Sequence, residues 1–199
     1  MRMLVSDMAG RASVELKGKE LGVDLGGDRE LIGRVVARVK EHELKGYTYE
    51  AADASFELLL RGEVEGRALK YFDVESWRAI VEDRPDGSHA NEATVKLWAK
   101  SERIVATAEG NGPVNALDRA ARRLEKIYPE LAGLQLVDYR VRILEGRHGT
   151  SSTTRVLIST SDGTGEWSTV GVADNVIAAS WQALEDAYTY GLLRAGVAP

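Results

Sequence analysis

Apolar residues recur at helical spacing over roughly the first sixty positions and, from Tyr71 on, mostly at the spacing of strands. Asp28 stands as a helix N-cap before Ile32, Val35, Val36 and Val39, which put one apolar stripe on one face. A second stripe, Tyr49, Ala52, Phe56, Leu59 and Leu60, follows the break at Lys45-Gly46. A shorter helix is predicted around Arg11 to Leu21, ended by Gly22. These helices are too thin to enclose much core alone, so they are expected to pack on another body. Arg61 to Lys70, with Gly62 and Gly66 among charges, reads as a linker.

Val74 to Glu82, Glu92 to Lys100 and Arg103 to Ala108 alternate or run apolar like strands, with a turn at Arg84-Pro85-Asp86-Gly87. A helix is predicted from Pro113, with Leu117, Ala120, Ala121, Leu124 and Ile127 facing one way. The same order then returns. Gln135 to Glu145, Thr153 to Ser161 and Glu166 to Val172 are strand-like, Asp162-Gly163-Thr164-Gly165 is a turn, and Asn175 to Leu193 is a helix. At an offset of roughly 60 residues Ile80-Val81-Glu82 falls on Ile143-Leu144-Glu145 and Val114 on Val176, a signal of internal repetition. The predicted fold is α+β: short helical linker subdomains over residues 1–66, then two pseudo-twofold βββα units over 67–199, the first about 71–130 and the second about 134–195. The last helix carries Ile177, Trp181, Leu184 and Tyr188 on one arc and Val176, Ala179, Ala183 and Ala187 on another. So wide an apolar surface buries two sides, and the small-residue arc suits close approach of a second element, a second copy being favoured over the alternative that both arcs are intramolecular core.

Composition narrows the function classes. A net charge of −5 lacks the positive field that captures nucleic acid or an anionic membrane surface. With no cysteine there is no disulfide, thiolate metal site or thiol nucleophile. The chain has no run of about 18 apolar residues, and Met1 to Gly10 lacks the features of a secretory signal, so a cytoplasmic protein is expected. That start reads as the interior of something longer. His42, His89 and His148 sit in polar stretches without partner motifs and read as surface residues. Metal-ligand spacings are absent, and nothing nominates a catalytic centre.

The sharpest local feature is Ala108-Glu109-Gly110-Asn111-Gly112-Pro113-Val114-Asn115-Ala116, a strand entering a glycine turn and leaving through proline at the first helical position. Backbone N–H groups and the positive end of the helix dipole converge there, which favours a carboxylate or phosphate; a turn that merely starts a helix is the alternative. Its counterpart runs from Val170 to Val176, where Asp174 or Asn175 can cap the second helix.

Gly110-Asn111-Gly112-Pro113-Val114-Asn115-Ala116-Leu117 resembles the "GNGPVDAL" signature of the regulatory domain of 2-isopropylmalate and citramalate synthases. The stretches Leu136 to Arg142, Trp167 to Val172 and Asn175 to Leu184 are similar to the citramalate type in particular. Ser6 to Ser13 resembles the "LSGRSN" stretch after the catalytic barrel, and Glu50 to Leu59 the "FEAAEASFELL" helix, so the likeness covers nearly the whole chain. It implies a region that dimerises and binds an end-product amino acid as feedback inhibitor, isoleucine if citramalate type and leucine if 2-isopropylmalate type. The (β/α)8 barrel with its divalent metal, which condenses acetyl-CoA with pyruvate, is not in this sequence. The chain alone is therefore expected to carry no cofactor and no synthase activity, with that barrel as its partner. Where leucine-type relatives read "SGRHA", this chain has Gly10-Arg11-Ala12-Ser13 and so lacks their helper histidine. The effector site expected where the two units meet at the dimer interface comprises Asn111, Gly112, Pro113, Val114 and Leu117 with Asp138, Tyr139, Val172, Asp174, Asn175 and Ile177. A dimerisation domain without a ligand is the competing reading.

Overall fold

The computed structural model describes residues 7–144 and 152–199. The predicted strand end at Glu145, and His148, lie outside them. Three helices come first: α1 (Asp7–Glu20), α2 (Arg29–Leu44) and α3 (Asp53–Glu65). Asp28 caps α2 as its sequence suggests, accepting from Glu30 N and Leu31 N through its side chain. Val35, Val36 and Val39 of α2 meet Val14 of α1 and Phe56 and Leu60 of α3 in a small separate core. The stretch read as a linker from Arg61 is still helical through Glu65. Its end is Gly66, whose positive φ of 70° makes the left-handed cap.

Strands β1 (Asp73–Asp83), β2 (His89–Ala99) and β3 (Glu102–Glu109) form one antiparallel sheet in that order, followed by α4 (Pro113–Ala121). Strands β4 (Gln135–Ile143), β5 (Thr154–Ser161) and β6 (Glu166–Ala173) form the second sheet, followed by α5 (Val176–Arg194). The repeat is genuine down to its irregularities, for the first strand of each sheet has a register shift near its start, at Val74/Ser76 and at Leu136/Asp138. The helix N-caps, Gly112 and Asn175, stand 63 positions apart, which sets Val114 opposite Ile177 instead of Val176. In the first strands the offset is one smaller, since Trp77 pairs with Val95 as Tyr139 pairs with Ile158, so Ile80 falls on Arg142 instead of Ile143.

The inner faces of both sheets and the two helices share one core. Ala93, Val95 and Leu97 from the first sheet and Val156 and Ile158 from the second cluster with Leu117, Leu124, Leu184 and Tyr188. Inside it Tyr188 Oη donates to the Asp118 carboxylate, and Asp118 pairs with Arg122 at 3.2 Å. The helix predicted to run from Pro113 through Ile127 stops being α-helical at Ala121. Arg122 turns back to donate to Leu131 O and Leu134 O, and the chain continues as a 3-10 segment, Arg122–Lys126, that still buries Leu124.

The arc of small residues on α5 is not free. Ala179, Ala183 and Ala187 are fully buried against the chain's own second sheet. At Gly171 of β6 a Cβ would stand 1.9 Å from Ala179 O, so the helix rests directly on strand backbone. Of the arc assigned by sequence to a second copy, these three alanines are intramolecular core, while Val176 at the head of the helix is exposed. The outer face of the second sheet is covered by the helical linker, where Ala52, Tyr47 and Tyr49 pack on Val170 and Val172.

Candidate functional site

The two helix starts are built differently. At α4 the N-cap is Gly112 with no side-chain cap, and Pro113 fills the first turn, where a missing N–H costs least. The turn before it is held by Asn91, whose backbone O accepts from Gly110 N at 3.0 Å, and by Asn115 Oδ1, which accepts from Asn111 N at 3.1 Å. Glycine is required at 110, because a Cβ there would meet Ala116 N at 2.5 Å. At 112 a Cβ would meet nothing within 4 Å, so the space beside this uncapped helix start is open. An uncapped first turn beside open space can take an anionic group on its N–H donors.

At α5 the cap is Asn175, whose Oδ1 accepts from Ala178 N at 2.8 Å; Asp174 is exposed and takes no part. Tyr139 Oη lies 2.8 Å from Ser180 Oγ, and Ser180 donates to Val176 O, so β4 is tied to the first turns of α5. Asn175 and Ile177 thus stand at the helix start, and Tyr139 meets the helix at Ser180. The other residues expected at the effector site are placed as follows within the protomer. Val172 points from the opposite face of its sheet into the linker cluster, since its neighbour Gly171 faces the helix. Asp138 alternates with Tyr139 and so faces outward, paired with Arg140 at 2.5 Å. Leu117 is wholly inside the core and Val114 only packs on its edge.

One concavity was not anticipated: a cleft of about 920 Å³ between the linker and α5. Ser55, Gln182, Glu185 and Asp186 line it, with Arg38 and His42 among the α2 residues beside it. His42 is not the surface residue its sequence neighbourhood implies. Half-buried, it lies tilted against the Tyr47 ring, hydrogen-bonds Tyr49, and burial lowers its pKa. Each of these groups lies in a locally ordinary sequence, and only an observed contact pairs them.

Asp186 is raised to about 7, first by burial and further by the adjacent Glu185, against the opposing hydrogen bond from Ser55. A carboxyl whose folded-state pKa lies above its ordinary 3.8 favours folding as the neutral acid, so its contribution is lost as pH rises from there towards about 7. Thermal melting of Asp186→Asn, uncharged and similar in shape, should cross the wild type: at pH 8 the variant gains about 1–2 kcal/mol relative to its difference at pH 4, the cleft admitting enough water to keep the effect modest. Parallel melting curves from pH 4 to 8 would remove this assignment.

Among the described residues no three His, Asp or Glu are grouped to hold a metal ion, and no helix is long and apolar enough to cross a membrane. Comparison with known proteins adds a family. The model of the LeuA allosteric (dimerisation) domain matches residues 50–192. A protein of Streptomyces coelicolor named (R)-citramalate synthase is 88% identical over the whole of this chain and 38% of its own length. One of the same name from Aquifex aeolicus is 43% identical over 97% of this chain and 37% of its own length. A 2-isopropylmalate synthase of Aquifex aeolicus is 28% identical over 97% of this chain and 34% of its own. The chain thus spans little more than a third of the length of these relatives.

Proposed function

Because the chain belongs to the LeuA allosteric (dimerisation) domain family, we propose that it is the regulatory and homodimerisation region of an (R)-citramalate synthase, acting in the cytoplasm and binding isoleucine as feedback inhibitor. Likeness to proteins named citramalate synthase at 88% and 43%, against 28% for a 2-isopropylmalate synthase, favours that type over the leucine one. In this reading the parent condenses acetyl-CoA with pyruvate on a metal-dependent barrel, and the present chain supplies no reacting group.

Two separate features support the ligand reading: the start of α4, uncapped and open at Gly112, and the start of α5, capped by Asn175 with Ile177 in its first turn. The first can receive a carboxylate through backbone N–H groups, and Ile177 and Val114 offer apolar surface to an aliphatic side chain. An ammonium needs an acceptor. Asp174, exposed beside the cap, is the nearest carboxylate in sequence, whereas Asp138 faces away. Discrimination between isoleucine and valine rests on one methylene, worth roughly 1 kcal/mol of burial.

Isothermal titration and thermal melting with isoleucine, leucine and valine test this directly. Isoleucine at about one hundred times its Kd should stabilise the dimer by about 2.7 kcal/mol. Gly112→Val should weaken binding without loss of fold, since the protomer leaves room for the side chain. Failure of all three amino acids to raise the melting temperature at millimolar concentration would leave a dimerisation domain without a ligand.

A further inference from the structure

Helix α5 carries a polar stripe for which the repeat gives no reason. Gln182, Asp186 and Tyr190 recur every four residues and so stand above one another on one side of the helix. Each is bonded to the helical linker. Tyr47 Oη donates to Gln182 Oε1 at 2.7 Å, Ser55 Oγ donates to Asp186 Oδ2 at 2.6 Å, and Tyr190 Oη donates to Glu57 Oε2 at 2.7 Å. Two of these contacts also fasten β6, an edge strand of its sheet. Val172 N donates to Gln182 Oε1 and Val170 N to Ser55 Oγ, both at 3.0 Å. Side chains here satisfy N–H groups that an edge would otherwise present to solvent.

The first unit shows what the second adds. Arg119 of α4 holds the place of Gln182, and it too reaches the edge strand, donating to Glu109 O at 3.1 Å. The residue matching Asp186 is Arg123, which is exposed. Fastening a helix to its edge strand is thus common to both units, whereas among the described residues the bonds of Gln182, Asp186 and Tyr190 to the linker have no counterpart on α4.

Nor can α5 move without β6. The Gly171 contact leaves no space between them, and Thr169 Oγ1 donates to Ala183 O at 2.7 Å. The first turn of this same helix is the second helix start of the effector site, and the open cleft beside the stripe gives the joint room to shift. We propose that the stripe Gln182, Asp186 and Tyr190 is the joint through which amino-acid occupancy at the start of α5 is passed to linker helices α2 and α3. The proposal rests on the effector reading above. Because coupling between two sites is reciprocal, loosening the joint also alters how the linker constrains the effector site.

Hydrogen exchange of the 199-residue chain, read over residues 47–66 with and without saturating isoleucine, alongside calorimetric titration, tests the proposal. In the wild type isoleucine should slow exchange in this segment about fivefold or more. Gln182→Ala and Ser55→Ala should still bind isoleucine and lose that slowing. Tyr47→Phe, which keeps the ring and removes only the hydroxyl, should reduce the slowing even if the other two variants fail to fold. Isoleucine binding that leaves exchange at 47–66 unchanged in the wild type overturns the joint while the effector reading stands, as does slowing that survives in folded variants. Absence of binding in the wild type overturns both.

Discussion

Replacing Gly171 with alanine is expected to cost about 3 kcal/mol or more, a fall in melting temperature of roughly 6–12 °C for a chain of this length. The new Cβ would lie 1.9 Å from Ala179 O and 2.9 Å from Ala183 N, both backbone atoms inside a helix, so no rotamer change relieves the clash. Helix α5 would have to lift from β6, breaking the Thr169 to Ala183 hydrogen bond and opening the packing around Leu184, which is fully buried. Gly112→Ala is the matched control, with no atom within 4 Å of its Cβ and an extended φ of −160° that any residue adopts; it should cost less than about 1 kcal/mol, the preference of a helix N-cap for glycine over alanine. Equal melting temperatures for the two variants would show that α5 and β6 are not packed as described.

Charge on the inner face of β4 is expected to separate the dimer. Tyr139, Val141 and Ile143 project on the same side of the sheet as the buried Ile158 and Val156, yet they are 42%, 45% and 69% exposed, and Val176 at the head of α5 is 37% exposed. Helix α5 packs on β5 and β6 and leaves most of this face of β4 bare. A bare apolar strip continuous with a domain core is what a second copy would cover, and in a twofold pair the strip meets itself or its neighbour twice. Val141→Glu places two unpaired carboxylates in such an interface, at about 2 kcal/mol or more each, enough for roughly a thousandfold weaker association. Sedimentation velocity at micromolar concentration should find the wild type dimeric and Val141→Glu monomeric and folded. Val105→Glu, on the outer face of the first sheet, should remain dimeric. A dimeric Val141→Glu would locate the interface elsewhere.

Periodicity and turn chemistry are local properties, and what depends on them was legible in the chain. The Asp28 cap, the stripe Ile32 to Val39, the two runs of three strands and the helix starts at Pro113 and Asn175 all appear in the structure with ends displaced by a few residues. The repeat was legible too, though its register slipped by one because faint identity cannot locate the one extra residue that the second unit carries between its first two strands, where Trp77 faces Val95 and Tyr139 faces Ile158. Gly110 and Gly112 look alike in sequence. Only the fold shows that the first is required by a turn packed on Asn115 and that the second borders open space. The small residues of α5 announced a close approach but not its partner, for alanines accept strand backbone as readily as a second helix, and Gly171 decided the matter. Alternation along β4 and β6 sent Asp138 and Val172 to the far side from the helices, a consequence of strand geometry that a linear motif does not display. The joint on α5 was illegible for a stronger reason. Gln182, Asp186 and Tyr190 are unremarkable polar residues on a helix, and their meaning lies in Tyr47, Ser55 and Glu57, more than 130 positions away in sequence, which the fold alone brings within hydrogen-bond distance.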